Sequence, residues 1–187
     1  MHLQSLLFAT AMIGSAVASP VDERVQVRYR TSQIQDVALF YREAGPADAP
    51  TVLLLHGFGA SSHMFRDLIP VLARRYHVLA HDLPGFGQTV VRPGAHFEYT
   101  FENVTSVIDA FTVEKGLDRY AIYVFDYGAP VGWRLAVAHP DKITAIVSQN
   151  GNAYEEGLSE GWRTCARPGT PRHPETARRC AASTRPT

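Results

Sequence analysis

Hydrophobic residues follow two different spacings along this chain, and their order predicts its secondary structure. Residues 24–30 and 37–42 place apolar side chains at every second position, as in two antiparallel strands with one solvated face. Residues 51–56 form a continuous apolar run, which is typical of a strand buried on both faces of a parallel sheet. Similar runs predict three further strands, at residues 76–82, 120–125 and 143–148.

Segments with helical spacing separate these strands. One amphipathic segment follows the buried strand to about residue 75, and a second covers residues 101–115, with Gly116 as its stop. A third continues from the strand at 120–125 to about His139, where Pro140 ends it. This alternation predicts an α/β fold with a mostly parallel sheet and helices on both faces. In such sheets the ligand site lies at the carboxyl ends of the strands.

The beginning of the chain reads as a targeting segment. Residues 6–18 form an apolar run that ends in Ala16-Val17-Ala18, a cleavage pattern, so we expect a signal peptide over residues 1–18 and a secreted protein. A membrane anchor or a buried strand is the alternative, although the run is short for a membrane span. Asn103 starts the sequon Asn-Val-Thr, which is usable for N-glycosylation if a eukaryote exports the protein.

Residues 163–187 break the pattern. They contain six arginines and one glutamate, and none of Leu, Ile, Val, Met, Phe, Tyr or Trp. Because such a segment cannot bury apolar surface, we expect it to be disordered. A basic tail for a partner is one interpretation, but the abrupt change after Trp162 favours out-of-frame translation of codons rich in G and C. Cys165 and Cys180 lie in this tail, where they either close a small loop or have no role.

Charge excludes some partners. The 187 residues include 18 basic and 18 acidic side chains, so bulk charge predicts neither nucleic acid nor an anionic membrane surface as a partner. Beyond the signal peptide we expect no membrane contact, and the sequence does not determine the oligomeric state.

The most informative stretch is the strand at 120–125 with the three residues after it, Asp126, Tyr127 and Gly128. A carboxylate at the tip of a strand-to-helix turn is held in a strained, exposed position with helix N–H groups nearby. This is the geometry of a nucleophile elbow, with Asp where many enzymes place Ser. The alternative role for Asp126 is to cap the helix.

Three motifs, in this order, carry a resemblance to a known family. They are His56-Gly57-Phe58-Gly59, Asp82-Leu83-Pro84-Gly85-Phe86-Gly87 and Phe125-Asp126-Tyr127-Gly128. Residues 37–162 resemble the α/β-hydrolase superfamily, in the branch of haloalkane dehalogenases and epoxide hydrolases. The resemblance implies that residues 21–162 form the N-terminal part of an α/β-hydrolase domain. It also implies that the lid, the last two strands, the catalytic acid and the catalytic histidine are missing.

The resemblance implies a mechanism and its residues. In that branch the elbow Asp attacks carbon and forms an alkyl ester, which a histidine-activated water then cleaves. Asp126 is therefore expected to be the nucleophile, and the backbone N–H groups of Phe58 and Tyr127 are expected to form the oxyanion hole. The substrate is expected to be a small molecule, with no metal and no cofactor. Structural roles are expected for His56, Gly57, Gly59, Asp82 and Gly128.

Three positions differ from these relatives. Phe58 and Tyr127 stand where dehalogenases grip the halide with Asn and Trp, and Gly59 stands where epoxide hydrolases usually have Pro. Both substrate classes therefore stay open.

The sequence offers no suitable general base to activate the water that cleaves the ester. Only His139 and His173 follow Asp126. His139 ends the helix that starts at the elbow, about 17 Å from the nucleophile, which is beyond hydrogen-bond reach, and His173 lies in the tail. The sequence thus predicts a chain that does not turn over substrate. A non-catalytic module that binds small ligands in the same cleft is the alternative, and a basic protein acting through its tail is a third hypothesis.

Overall fold

The part of the chain that the structure describes contains seven strands and three α-helices. The computed structural model describes residues 25–154 and residue 157. The helices are α1 (Leu68–Leu72), α2 (Phe101–Glu114) and α3 (Gly128–Ala138), and a 3₁₀ turn spans Ser62–Phe65. The strands are β1 (Arg28–Ile34), β2 (Val37–Ala44), β3 (Thr51–Leu55), β4 (His77–His81), β5 (Val90–Val91), β6 (Tyr120–Phe125) and β7 (Ile143–Gln149).

All seven strands belong to one sheet. Its order is β1-β2-β4-β3-β6-β7, and the short β5 pairs with β2. The pairings of β2 with β1, β4 and β5 are antiparallel, whereas β4, β3, β6 and β7 run parallel to one another. The predicted α/β fold with a mostly parallel sheet is confirmed. The carboxyl ends of β3, β4 and β6 consequently meet at one edge, where the three sequence motifs lie.

The core has two layers, one on each face of the sheet. On one face α2 and α3 cover a large cluster that includes Leu53 and Leu55, and on the other face α1 and the 3₁₀ turn cover a smaller cluster that includes Leu54. Consecutive leucines of β3 therefore enter opposite layers, because side chains alternate across a strand. This explains the continuous apolar run in β3 and confirms the prediction of helices on both faces.

The initial hairpin corrects two expectations. First, β1 begins four residues later than predicted. A tight turn at Gln35 and Asp36, with φ 52° at Gln35, pairs Ile34 with Val37, and this pairing fixes the register of the two strands. Second, β2 does not have a solvated face. Six of its eight residues are buried, because β1 and β4 flank it and both faces are covered.

Other elements differ less from the prediction. The amphipathic segment that was expected to reach residue 75 divides into the 3₁₀ turn and the five-residue α1, and the two-residue β5 was not predicted. Helices α2 and α3 end within one residue of the predicted boundaries, and Gly116 follows α2 with φ 63°. In the part of the chain that the structure describes, no helix is long and apolar enough to cross a membrane.

Several predictions fall on other parts of the chain. The expected signal peptide at residues 1–18, the tail at 163–187 with Cys165 and Cys180, and His173 lie outside the described residues. They stay predictions.

Candidate functional site

The turn between β6 and α3 holds Asp126 in an unusual backbone conformation. Its φ is 48°, in the left-handed region that residues other than glycine seldom adopt. Its N–H donates to the carbonyl of Gln149 at 3.3 Å, and its own carbonyl accepts the N–H of Ala129 at 3.0 Å. Such local strain persists only where surrounding bonds impose it. The geometry is that of the elbow expected from the sequence.

The carboxylate of Asp126 is held by one oxygen. Its Oδ1 accepts the backbone N–H of Phe58 at 2.8 Å and the backbone N–H of Tyr127 at 2.6 Å. These are the two donors expected to form an oxyanion hole. Both bonds go to Oδ1, and the described residues form no further backbone hydrogen bond to Oδ2.

Two glycines allow the backbone segments of this site to approach closely. A Cβ on Gly57 would lie 2.7 Å from Cδ1 of Phe125 and 2.9 Å from Cβ of Asp126, and a Cβ on Gly128 would overlap the carbonyl oxygen of Leu55. A larger residue at either position would push the donors away from Asp126. Gly59, by contrast, has open space around it, and its φ of 68° accounts for its presence.

Both ring nitrogens of His56 hydrogen-bond to the backbone of the protein. Its Nε2 accepts the N–H of Leu83 at 3.0 Å, so the proton is on Nδ1, which donates to the carbonyl of Gly57 at 2.8 Å. Burial lowers the pKa of His56, so the ring is neutral. The ring thereby joins the loop of residues 56–62, called the donor loop below, to the segment after β4.

Asp82 holds the other end of the donor loop. Its Oδ1 accepts the N–H of Ser62 at 2.7 Å and its Oδ2 accepts the N–H of Gln88 at 2.7 Å. Gly87 lies so close that a Cβ there would overlap the carboxylate. Asp82 is 2 % exposed, and its two oxygens hold two separate backbone segments.

Aromatic rings surround the donors. The ring of Phe58 lies 5.7 Å from that of Phe86 and 5.8 Å from that of Tyr127, and Tyr127 in turn lies 5.5 Å from Phe86 and 4.6 Å from Phe101. Sequence reasoning did not single out Phe86 or Phe101. Phe86 belongs to a motif that was quoted, whereas nothing local distinguishes Phe101 from a core residue of α2.

The remaining candidates lie away from Asp126. His139 is at the opposite end of α3, and its Nε2 is 2.9 Å from Oδ1 of Asp109. Within residues 25–154 no histidine hydrogen-bonds to Asp126, and the same residues contain no cluster that could hold a metal ion. Asn103 lies in the first turn of α2, where its side-chain amide donates to the carbonyl of Glu98 at 2.9 Å.

Comparison with known proteins identifies relatives of this chain. Residues 50–187 match the model of the alpha/beta hydrolase fold family. An uncharacterized hydrolase of Saccharomyces cerevisiae is 50% identical over 134 residues, which cover 71% of this chain and 46% of that protein. A haloalkane dehalogenase of Psychrobacter cryohalolentis is 30% identical over 135 residues, covering 71% and 44% respectively.

Solved structures show the same relationship. The crystal structure of an epoxide hydrolase from Vigna radiata superposes with a TM-score of 0.60 at 32% identity, over 65% of this chain and 39% of that one. The chain spans less than half the length of the curated relatives named above. The family model matches more than half of the chain, and the chain belongs to the alpha/beta hydrolase fold family, with haloalkane dehalogenases and epoxide hydrolases among its homologues.

Proposed function

We propose that this chain carries the nucleophile of a hydrolase that attacks an sp³ carbon of a small apolar substrate through Asp126. One observation carries the proposal: Oδ1 of Asp126 lies between the N–H groups of Phe58 and Tyr127, at 2.8 and 2.6 Å. A helix cap would need the carboxylate near the helix N–H groups only. Here the donor loop of a different strand supplies the second donor, as an oxyanion hole requires.

The chemistry has two steps. In the first, Oδ2 forms a bond to the substrate carbon while the carbon–halogen or carbon–oxygen bond breaks. Halide leaves with the electron pair, whereas the epoxide oxygen takes the pair, stays on the adduct and is protonated by solvent. In the second, water attacks the carbonyl carbon of the ester and charge develops on Oδ1, between the two N–H donors. That water needs a base. Within residues 25–154 no histidine hydrogen-bonds to Asp126, and the one histidine that follows them, His173, lies in the arginine-rich tail. We therefore propose that the 187-residue chain completes only the first step.

The rings argue for an apolar substrate. Phe58, Phe86, Tyr127 and Phe101 form a continuous aromatic surface beside the donors. Arg134, which stacks over the ring of Phe101 at 5.5 Å, forms an ion pair with Glu102 at 2.8 Å. Apolar walls favour a neutral alkyl or aryl group over a substrate that carries its own carboxylate. Halides and epoxides both satisfy this chemistry.

Intact-mass spectrometry tests the proposal. We expect incubation with an alkyl bromide or a terminal epoxide to add the mass of one alkyl group, or of one whole epoxide, and peptide mapping to place the adduct on Asp126. Asp126→Asn should show no adduct, since an amide is a poor nucleophile at carbon, and Asp109→Asn serves as the matched control. The relative rates with the two electrophiles assign the substrate class.

Other outcomes contradict the proposal. Catalytic turnover of either electrophile that disappears in Asp126→Asn would mean that a base does reach the ester in this chain. Saturable binding of the same compounds without any adduct would support the alternative, a non-catalytic module that binds small ligands.

A further inference from the structure

Arg42 is a buried cation that the site described above does not explain. It lies in the middle of β2 and is 9 % exposed. The ring of Tyr29 covers its guanidinium, whose carbon is 4.7 Å from the ring centroid. No carboxylate of the described residues forms an ion pair with it. An uncompensated buried charge is costly, so the contacts of Arg42 need an explanation.

Its hydrogen bonds lead to the donor loop. Nε of Arg42 donates to Oγ of Ser62 at 3.0 Å, and Nη2 lies 3.4 Å from Nδ1 of His63. Ser62 is fully buried, and its backbone N–H donates to Oδ1 of Asp82. Ser62 thus bridges a buried arginine and a buried aspartate, each of which lacks a direct partner of opposite charge among the described residues.

This bridge fixes one end of the donor loop. His56 fixes the other end through Leu83, and Phe58, whose N–H holds Asp126, lies between the two anchors. Both anchors depend on consecutive residues, Asp82 and Leu83. A hydrogen bond of 2.8 Å tolerates little drift, so the position of the Phe58 N–H depends on both anchors.

We propose that Arg42 is a positioning residue, which acts through Ser62 and Asp82 to keep the Phe58 N–H on Asp126; the proposal rests on the assigned role of Asp126 as nucleophile. The guanidinium donates to the hydroxyl of Ser62 while the backbone N–H of the same residue donates to Asp82, so Ser62 is held from both sides. Arg42 touches neither substrate nor the reacting oxygen. A lysine at this position would keep the charge but lose the planar fork that bonds Ser62 and approaches His63 together.

Hydrogen exchange of single amides, followed by NMR, tests the proposal without any substrate. Ser62→Ala removes the acceptor for Arg42 but keeps the backbone bond to Asp82, and Arg42→Met removes the cation. In both variants we expect the Phe58 amide to exchange about tenfold faster or more, the equivalent of one charge-assisted hydrogen bond. Amides of α2 should keep their rates. Arg42→Lys should restore part of the protection.

Arg92→Met is the matched control, since Arg92 is exposed and pairs with Asp36 at 2.7 Å, far along the chain from the donor loop. In the Arg92→Met variant the Phe58 amide should exchange at the same rate as in the parent chain. Two results would contradict the positioning role. One is an unchanged exchange rate of the Phe58 amide in Ser62→Ala. The other is an equal acceleration of exchange in the donor loop and in α2, which would indicate a general loss of stability.

Adduct formation separates this proposal from the proposed function. If the parent chain forms an adduct on Asp126, Ser62→Ala should form it severalfold more slowly at saturating electrophile, with a similar half-saturating concentration. If the parent forms no adduct, the proposed function fails, while exchange at Phe58 still decides whether Arg42 holds the loop.

Discussion

His81 shows how one side chain couples stability to pH. It ends β4, is fully buried, and lies 4.5 Å from the ring of Phe111 and 6.2 Å from that of Tyr41. Neither ring nitrogen has a hydrogen-bond partner. Burial, with smaller contributions from the neighbouring His56 and Lys115, lowers the pKa of His81 to about 3. The folded chain therefore keeps this imidazole neutral over a pH range in which the unfolded chain protonates it.

We predict that the free energy of unfolding falls as the pH is lowered below about 6.5. Above that pH neither state binds the proton, and between pH 6.5 and 3 only the unfolded state does, so acidification favours unfolding. The expected loss from His81 between pH 7 and pH 4 is about 3 kcal/mol. Urea unfolding at both pH values measures it.

His81→Phe keeps an aromatic ring against Phe111 and removes the titration, so most of this pH dependence should disappear. His96→Gln, at an exposed histidine, is the control and should leave it unchanged. A pH dependence that survives in His81→Phe would assign the acid sensitivity to other groups.

At the scale of elements, the contact of α3 with the sheet depends on two glycines. A Cβ on Gly128 would overlap the backbone carbonyl of Leu55, whereas a Cβ on Gly132 would overlap only the side chain of Val124. A side chain can rotate away and a strand backbone cannot. The two positions therefore differ although both are buried in one helix.

Alanine substitutions test this difference. Gly128→Ala should destabilise the chain by about 3 kcal/mol, because α3 must move off β3, and Gly132→Ala by about half as much. Val137 lies on the same helix and is 83 % exposed, so Val137→Ala should change stability by less than about 0.5 kcal/mol. Urea unfolding compares the three. A larger effect at Gly132 than at Gly128 would contradict the argument.

The predictability of each element follows from its surroundings. β3 and β6 are central in the sheet, so both are continuous apolar runs that are easy to recognise in the sequence. The polar residue after each run, His56 or Asp126, marked the end of the strand and the motif there. The register of β1 comes from a tight turn at Gln35, a residue with no strong turn preference. Arg42 was read as part of a solvated face, since a charged residue in an alternating strand gives no local sign that another strand will cover it.

The site was predictable to a similar extent. Asp126, Phe58 and Tyr127 were named from motifs that are continuous in the sequence, and the structure brings them within hydrogen-bond distance, although their catalytic roles stay predictions. The bridge from Arg42 through Ser62 to Asp82 joins residues 20 positions apart at each step, and the aromatic surface joins the beginning of α2 to three loops. Such pairings arise from packing, which single-sequence patterns do not encode.

At the scale of the whole molecule, the described part of the chain exposes apolar surface at one side of the sheet. β7 pairs with β6, and six of its seven residues are exposed, including Ile146 and Val147 on its two opposite faces. Apolar strands that are exposed in this way are prone to pair with other copies.

We predict concentration-dependent self-association of the 187-residue chain. Val147→Lys should raise the monomer fraction, because a charge on β7 opposes pairing of strands. Light scattering coupled to size-exclusion chromatography at two concentrations measures this. Val71→Lys, at an exposed position of α1, is the control. Equal effects of both substitutions would mean that net charge, and not β7, governs association.

The two anchors of the donor loop have a consequence for changes of chain length. Because both depend on the adjacent pair Asp82 and Leu83, one residue inserted between them would shift one anchor relative to the other and skew the loop. Gly94, in contrast, has φ 83° and open space around it. Inserted residues or attached labels should therefore be placed near Gly94. Variants designed to change loop length should leave the segment after β4 unchanged.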